Sequence, residues 1–151
     1  MSALKSRLQT DLTAAMKSRD ELRTATIRMA LSALSTEEVA GKVARELSDD
    51  EVLKVLTREA KKRREAADAF ASGGRPDRAE REEAEGAVLA GYLPAQLSDD
   101  ELAELVRAAI GTVGADNPQQ MGAVMKVLTP EVAGRADGKR VAGEVRRQLA
   151  G

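Results

Sequence analysis

Apolar residues recur along most of this chain at intervals of three and four, with charged residues between them. Leu4, Leu8 and Leu12 form the first such stripe, and Val141 and Val145 belong to the last. This spacing places apolar side chains on one side of an α-helix. The β-branched residues are scattered and do not alternate with polar ones, so no strand is expected. The sequence therefore predicts an all-α protein.

Capping and stop signals divide the chain into about seven helices. Two Ser-Asp-Asp-Glu segments, residues 48–51 and 98–101, have the spacing of a capping box and predict two helix starts. Leu93 precedes Pro94, which disfavours helical backbone and predicts a stop. We therefore predict an N-terminal helical bundle of about four helices over residues 1–94 and a small three-helix C-terminal domain over residues 95–151.

The composition excludes several kinds of site. The chain has no Cys, His or Trp, which excludes disulfides, thiol nucleophiles, imidazole-dependent triads and metal sites with nitrogen or sulfur ligands. The carboxylate pairs Asp49-Asp50 and Asp99-Asp100 are explained by helix capping, so neither a metal nor a cofactor is predicted. No catalytic residue is predicted either.

Charge and hydropathy bear on location and partners. The formal net charge of -1 provides no whole-molecule attraction to a polyanion. No stretch resembles a signal peptide or a membrane span, so we expect a cytoplasmic protein with no membrane partner.

Two groups of cations are candidate phosphate-binding sites. The denser one, a secondary basic cluster, is Lys61, Lys62, Arg63 and Arg64. Glu59 and Glu65 lie at helical spacing from it, so ion pairs on a solvated helix surface are the alternative interpretation. The second group lies near the C-terminus and consists of Lys126, Arg135, Lys139, Arg140, Arg146 and Arg147.

Two turn glycines, Gly134 and Gly138, interrupt the C-terminal group. A glycine turn leading into a helix N-terminus, flanked by cations, could hold a phosphate. The alternative is an ordinary interhelical turn in which Asp137 caps the last helix. Aromatic residues are scarce, so any RNA would be bound through its backbone and shape.

The motifs together resemble the GatB/YqeY family of small bacterial proteins. The residues that carry the resemblance are Leu8, Asp11, Leu12, Ala15, Met16, Lys17, Asp20, Arg23, Tyr92-Leu93-Pro94, Met121-Gly122-Ala123-Val124-Met125 and Gly134-Arg135-Ala136-Asp137-Gly138. The C-terminal part is similar to the tail domain of the GatB component of the aspartyl/glutamyl-tRNA amidotransferase. Ala123 stands where the family commonly has Lys, which removes one potential phosphate contact.

The resemblance implies a non-catalytic tRNA-associated module that uses the C-terminal cations, with Arg135, Lys139 and Arg140 as the leading candidates. Its expected partners are tRNA or another structured RNA, and the tRNA amidotransferase or a tRNA synthetase, but not DNA. One alternative is a component of a carbon–nitrogen ligase that uses glutamine as amido donor. An enzyme acting alone is disfavoured, because no Cys nucleophile or phosphate loop is present.

The other alternative is a protein-interaction module without RNA binding, which would dock partners through an apolar groove. Its methionines, Met16, Met29, Met121 and Met125, fall on stripes predicted to face inward, where ordinary core packing also explains them. The helix that begins near Asn117-Pro118 is predicted to end before Pro130.

Overall fold

The chain is built of helices and the short segments that join them. The computed structural model describes residues 1–151 and contains seven α-helices, one 3-10 turn and no strand, which confirms the all-α prediction. The α-helices are α1 (Ala3–Lys17), α2 (Glu21–Glu38), α3 (Asp49–Ser72), α4 (Pro76–Ala90), α5 (Asp99–Val113), α6 (Met121–Val132) and α7 (Gly138–Ala150), and the 3-10 turn Pro118–Gln120 precedes α6.

Both predicted serine caps form, but only one capping box is complete. At α5 the Ser98 hydroxyl accepts the Glu101 amide at 3.1 Å, and the Glu101 carboxylate accepts the Ser98 amide at 2.9 Å. At α3 the Ser48 hydroxyl accepts the Glu51 amide at 3.2 Å, but the Glu51 carboxylate pairs with Arg45 instead. A charged guanidinium is a stronger partner than an amide, so the predicted capping box at residues 48–51 is only half formed.

The chain divides into two compact units, Met1–Pro94 and Ala95–Gly151. The N-terminal unit contains α1 to α4. Its largest fully buried side chains are Leu8, Ile27, Leu34, Leu56 and Leu89. Small residues line the contact between α3 and α4: Ala67 and Ala79 are buried, and a Cβ at Gly86 would lie 3.6 Å from that of Arg63. The two helices can therefore pack closely.

The C-terminal unit contains α5 to α7 around its own core. The fully buried side chains there are Val106, Val124, Leu128, Val141 and Val145. The segment that leads into α5 is joined to the turn before α7 by two hydrogen bonds. The Leu97 amide donates to the Arg135 carbonyl at 2.9 Å, and the Gln96 side chain donates to the Gly134 carbonyl at 2.8 Å.

Two sequence predictions about individual positions are wrong. Pro130 lies within α6 rather than beyond it, two residues before the helix ends at Val132. Proline has no amide hydrogen to donate, but only two helical residues follow Pro130, so little of α6 is affected. Met16 is 49% exposed, because the adjacent Ala15 is the residue at the end of α1 that turns inward.

Candidate nucleic-acid interface

The glycine turn before α7 forms an ordinary helix start. The Asp137 carboxylate accepts the Arg140 amide at 2.9 Å, so the protein's own carboxylate already occupies the N-terminus of the helix. Gly134 is buried with φ +73°, a backbone shape that glycine adopts without strain. Gly138 is the first residue of α7 and has no positive φ. The turn therefore matches the alternative interpretation, in which Asp137 caps α7.

Arg135 and Arg140 bind the segment at the start of the C-terminal unit. Arg140 Nη2 donates to the Leu97 carbonyl at 2.8 Å and to the Asp99 carboxylate at 2.9 Å. Arg135 makes longer contacts of 3.5 Å, from Nε to the Ala95 carbonyl and from Nη1 to a carbonyl of α6. Both side chains are partly buried, so these two leading candidates hold the unit together.

Arg147 is paired with a carboxylate on its own helix. Its guanidinium donates from Nε to both oxygens of Glu144, at 3.1 and 2.9 Å, and also from Nη2. Gln148 Nε2 adds a hydrogen bond of 3.1 Å to the same carboxylate. These donors, Arg147 first, lower the pKa of Glu144 from 4.5 to about 2. The charge of Arg147 is therefore balanced at neutral pH.

This pairing predicts a specific acid sensitivity. Because the pKa of Glu144 is lowered in the folded state, its ionised form stabilises the unit above pH 4.5 and loses that contribution as the pH falls toward 2. Glu144→Gln is expected to reduce the acid-induced loss of stability, measured by urea unfolding at about pH 5 and about pH 3. Glu104→Gln on the exposed side of α5 serves as the control. An acid response identical in wild type and Glu144→Gln would contradict the pairing.

The remaining three predicted cations have no partner within the protein. Lys126, Lys139 and Arg146 are exposed and make no hydrogen bond or ion pair through their side chains. Lys139 and Arg146 lie seven residues apart on the exposed side of α7, about 10 Å along the helix axis at about 1.5 Å per residue. Gly143, between them, is exposed and adds no side chain to block an approaching backbone.

Lys126 lies on the exposed side of α6. Gly122 and Ala123, one turn earlier, are exposed and small. We call Lys126, Lys139 and Arg146 the free cations. The structure thus separates the six predicted side chains into these three and the three arginines already engaged with acceptors of the C-terminal unit.

The secondary basic cluster is largely neutralised. Lys61 lies 3.9 Å from Glu65, and Lys62 lies 3.6 Å from Glu59. Arg63 lies between α3 and α4, where its guanidinium faces two carboxylates of α4 and Met29 of α2. Arg64 is exposed. The interpretation as ion pairs on the helix surface thus describes Lys61 and Lys62, whereas Arg63 is a partly buried interhelical cation.

A polar cluster that the sequence did not predict holds the end of α4. The Tyr92 hydroxyl donates to Asp11 at 2.5 Å and accepts from Arg23 at 3.4 Å, while the Arg7 guanidinium lies 4.7 Å from the ring centre. Burial, and then the bond to Asp11, raise the pKa of Tyr92 to about 12. The sequence did not indicate this cluster, because Arg23 and Asp11 lie 69 and 81 residues from Tyr92 along the chain.

Comparison with known proteins places this architecture in a family. A family model described as Yqey-like protein matches residues 5–149, which spans both compact units. The chain belongs to the YqeY-like family. This confirms the resemblance inferred from the motifs.

A curated relative of the YqeY-like chain comes from the yeast Clavispora lusitaniae (strain ATCC 42720). It is described as "Altered inheritance of mitochondria protein 41, mitochondrial" and is 30% identical over 134 residues, which cover 87% of this chain and 77% of the relative. Its description places that protein in mitochondria. In the YqeY-like chain, no helix has the length and apolar character that crossing a bilayer requires.

Proposed function

We propose that this YqeY-like chain is a non-catalytic module that binds tRNA or another structured RNA through the free cations of its C-terminal unit. The observation that carries the proposal is that Lys126, Lys139 and Arg146 are exposed on α6 and α7 without an internal partner. Cations of this kind contact phosphates and release counterions from the nucleic acid. Family membership is consistent with this, through the resemblance to the amidotransferase tail domain.

The expected recognition is of the RNA backbone. The chain has one Phe and one Tyr, Phe70 and Tyr92, and both lie in the N-terminal unit. The C-terminal unit therefore has no ring on which an unstacked base could lie. Binding through phosphates alone is expected to be weak, sensitive to salt and similar for different tRNA sequences.

The proposal assigns partners and a compartment but no reaction. The partners proposed are tRNA and, by resemblance, the tRNA amidotransferase or a tRNA synthetase, and the compartment is the cytoplasm. Release of ammonia from glutamine by the pure chain, assayed with ATP and misacylated tRNA, would contradict the non-catalytic assignment.

A charge-removal experiment tests the RNA interface. The variant Lys126→Ala/Lys139→Ala/Arg146→Ala is expected to bind tRNA at least about tenfold more weakly in low salt, and to reduce the slope of log affinity against log salt by about 2 to 3, because each phosphate contact contributes about 0.7 to 0.9. The measurement is fluorescence anisotropy of labelled tRNA over a salt series.

The matched control removes the same charge from the N-terminal unit. Lys42→Ala/Lys61→Ala/Lys62→Ala replaces one exposed loop lysine and two lysines that already face carboxylates. Its affinity is expected to stay within about twofold of wild type. Equal weakening in the two variants, or no tRNA binding by the wild type in low salt, would refute the proposed interface.

The engaged arginines provide a less specific test. Arg140→Ala removes donors to Leu97 and Asp99 as well as a cation, so stability and affinity are expected to fall together. The free cations are the discriminating positions, because their removal breaks no contact within the protein.

A further inference from the structure

Three helices of this protein end with the same hydrogen-bond pattern, but one of them uses an unfavourable residue. In each, an amide past the helix donates to a carbonyl five residues earlier, as in a Schellman motif. These hydrogen bonds are Asp20 N to Ala15 O at 2.9 Å, Arg75 N to Phe70 O at 2.8 Å and Ala115 N to Ile110 O at 3.1 Å. The residue just before the amide has positive φ: Gly74 (76°) after α3, Gly114 (72°) after α5, but Arg19 (57°) after α1.

Arg19 is the only non-glycine residue in the chain with a positive φ. A side chain in this left-handed conformation costs free energy that glycine avoids. The Arg19 side chain is exposed and makes no hydrogen bond or ion pair within the protein. The backbone hydrogen bonds at the end of α1 offset this cost, and the side chain adds no contact of its own. Residues held in such conformations cluster at functional sites.

The side chain of Arg19 lines an open cleft of about 430 Å³ between the end of α1 and the start of α2. The lining residues are Met16, Arg19, Glu21, Thr24, Ala25 and Arg28. Arg28 has no carboxylate partner and contacts only the Met16 sulfur, at 3.7 Å. Two cations thus flank a cleft whose apolar wall is an exposed methionine.

Thr24 adds an uncommitted hydroxyl to this cleft. Thr26 on the same helix donates its hydroxyl to the Leu22 carbonyl at 2.8 Å. The Thr24 hydroxyl makes no such bond, although the residue is half-buried. It remains available to donate to a ligand oxygen.

The one carboxylate in the cleft is neutralised from outside it. Both oxygens of Glu21 accept from Arg81 of α4, at 2.8 and 3.0 Å. These bonds lower the pKa of Glu21, so its carboxylate stays ionised and its negative charge is balanced by Arg81. The nearby Asp20 carboxylate accepts the Arg23 amide and caps α2. The charges of Arg19 and Arg28 are thus left unbalanced.

We propose that this cleft binds a nucleotide through its phosphate. The guanidinium groups of Arg19 and Arg28 hold the phosphate oxygens, the Thr24 hydroxyl donates to the same group, and the Met16 thioether packs against the base or sugar. The nucleotide has two potential sources, a free mononucleotide or the phosphorylated end of an RNA strand. The proposal does not depend on RNA binding by the free cations of α6 and α7.

Methyl NMR of protein labelled at the methionine methyl groups tests the site. Adenosine monophosphate is expected to shift the Met16 methyl resonance, with a dissociation constant of about 1 mM or tighter. Inorganic phosphate should bind more weakly, and adenosine should leave the resonance unchanged. A short RNA with a 5′ phosphate, compared with the same RNA without it, distinguishes an RNA end from a free nucleotide as the source.

Arg19→Gly separates function from stability. It is expected to weaken binding of adenosine monophosphate at least about tenfold, because a charged hydrogen-bond donor is lost, and to raise the melting temperature by about 4 °C, because glycine relieves the strain. Lys42→Gly, which removes one exposed loop cation elsewhere, is the matched control and should leave the affinity within about twofold.

Arg81→Ala gives a second, indirect readout. Arg81 does not line the cleft, but its removal would leave the Glu21 carboxylate unpaired beside the phosphate. The affinity for adenosine monophosphate is therefore expected to fall. An unchanged Met16 resonance with adenosine monophosphate, wild-type affinity in Arg19→Gly, or equal affinity for phosphate and adenosine monophosphate would overturn the proposal.

Discussion

Replacing Leu128 with alanine is expected to remove most of the stability of the C-terminal unit and to leave the N-terminal unit unaffected. Leu128 is fully buried in the core of Ala95–Gly151, among the valines of α5, α6 and α7. Such a truncation costs about 3 kcal/mol through lost burial and the cavity left behind. A helical unit this small has on the order of 3–5 kcal/mol of stability in total, so most of it would be lost.

Amide hydrogen exchange resolves this prediction by region. In Leu128→Ala, the amides of α5 to α7 are expected to exchange much faster, while those of α1 to α4 keep their protection. Leu56→Ala, at a fully buried position of α3, is the matched truncation and should produce the opposite pattern. Equal acceleration in both units of either variant would show that the units unfold together.

Replacing Arg63 with alanine is expected to cost about 2 to 3 kcal/mol, because the Glu82 carboxylate would be left without a partner in a mostly buried place and Glu85 would keep only its ion pair with Arg81. Arg63 Nε lies 3.4 Å from Glu82, and Nη1 lies 3.5 Å from Glu85, with side-chain exposures of 20%, 19% and 15%. Arg63 Nε and Glu82 Oε2 are both buried and neither makes a hydrogen bond, so the ion pair between them is the contact that balances their charges. The cost therefore comes from stranded charge at the contact of α3 with α4.

Chemical denaturation with two further variants isolates the cause. Arg58→Ala removes an arginine of the same helix whose side chain is 60% exposed and pairs with Glu37, and it should cost about 0.5 kcal/mol. Arg63→Met/Glu82→Leu replaces the pair by apolar side chains and should recover much of the stability lost in Arg63→Ala. A loss in Arg63→Ala no larger than in Arg58→Ala would contradict the role of the buried pair.

The sequence determined the all-α class and the main helix boundaries, because both depend on residues that are neighbours along the chain. Apolar spacing of three and four predicts the buried positions of α5 and α7. The predicted capping residues Ser48, Ser98 and Asp137 each cap the helix that follows them. Gly114 ends α5 in a left-handed conformation, as glycine commonly does at helix ends. Motif order also identified the family that the comparison confirms.

Tertiary structure alone decided which charges are free. Arg63 and Lys62 are adjacent in sequence, yet Arg63 meets carboxylates about twenty residues away on another helix, and Lys62 stays at the surface. Consecutive residues point in different directions around a helix, so the sequence could not show which cations of the secondary basic cluster face another helix and which stay at the surface. The same limit applies near the C-terminus, where Arg140 meets Asp99 but Lys139 has no partner.

The cleft at the end of α1 illustrates the same division most clearly. The break between α1 and α2 lies at residues 18–20, where the Asp20 side chain caps α2. Only the folded chain shows that Arg19 bears a positive φ there and that Arg81 of α4 neutralises the adjacent Glu21. Local hydrogen bonds are set by neighbours in sequence, whereas charge balance is set by side chains that packing brings together.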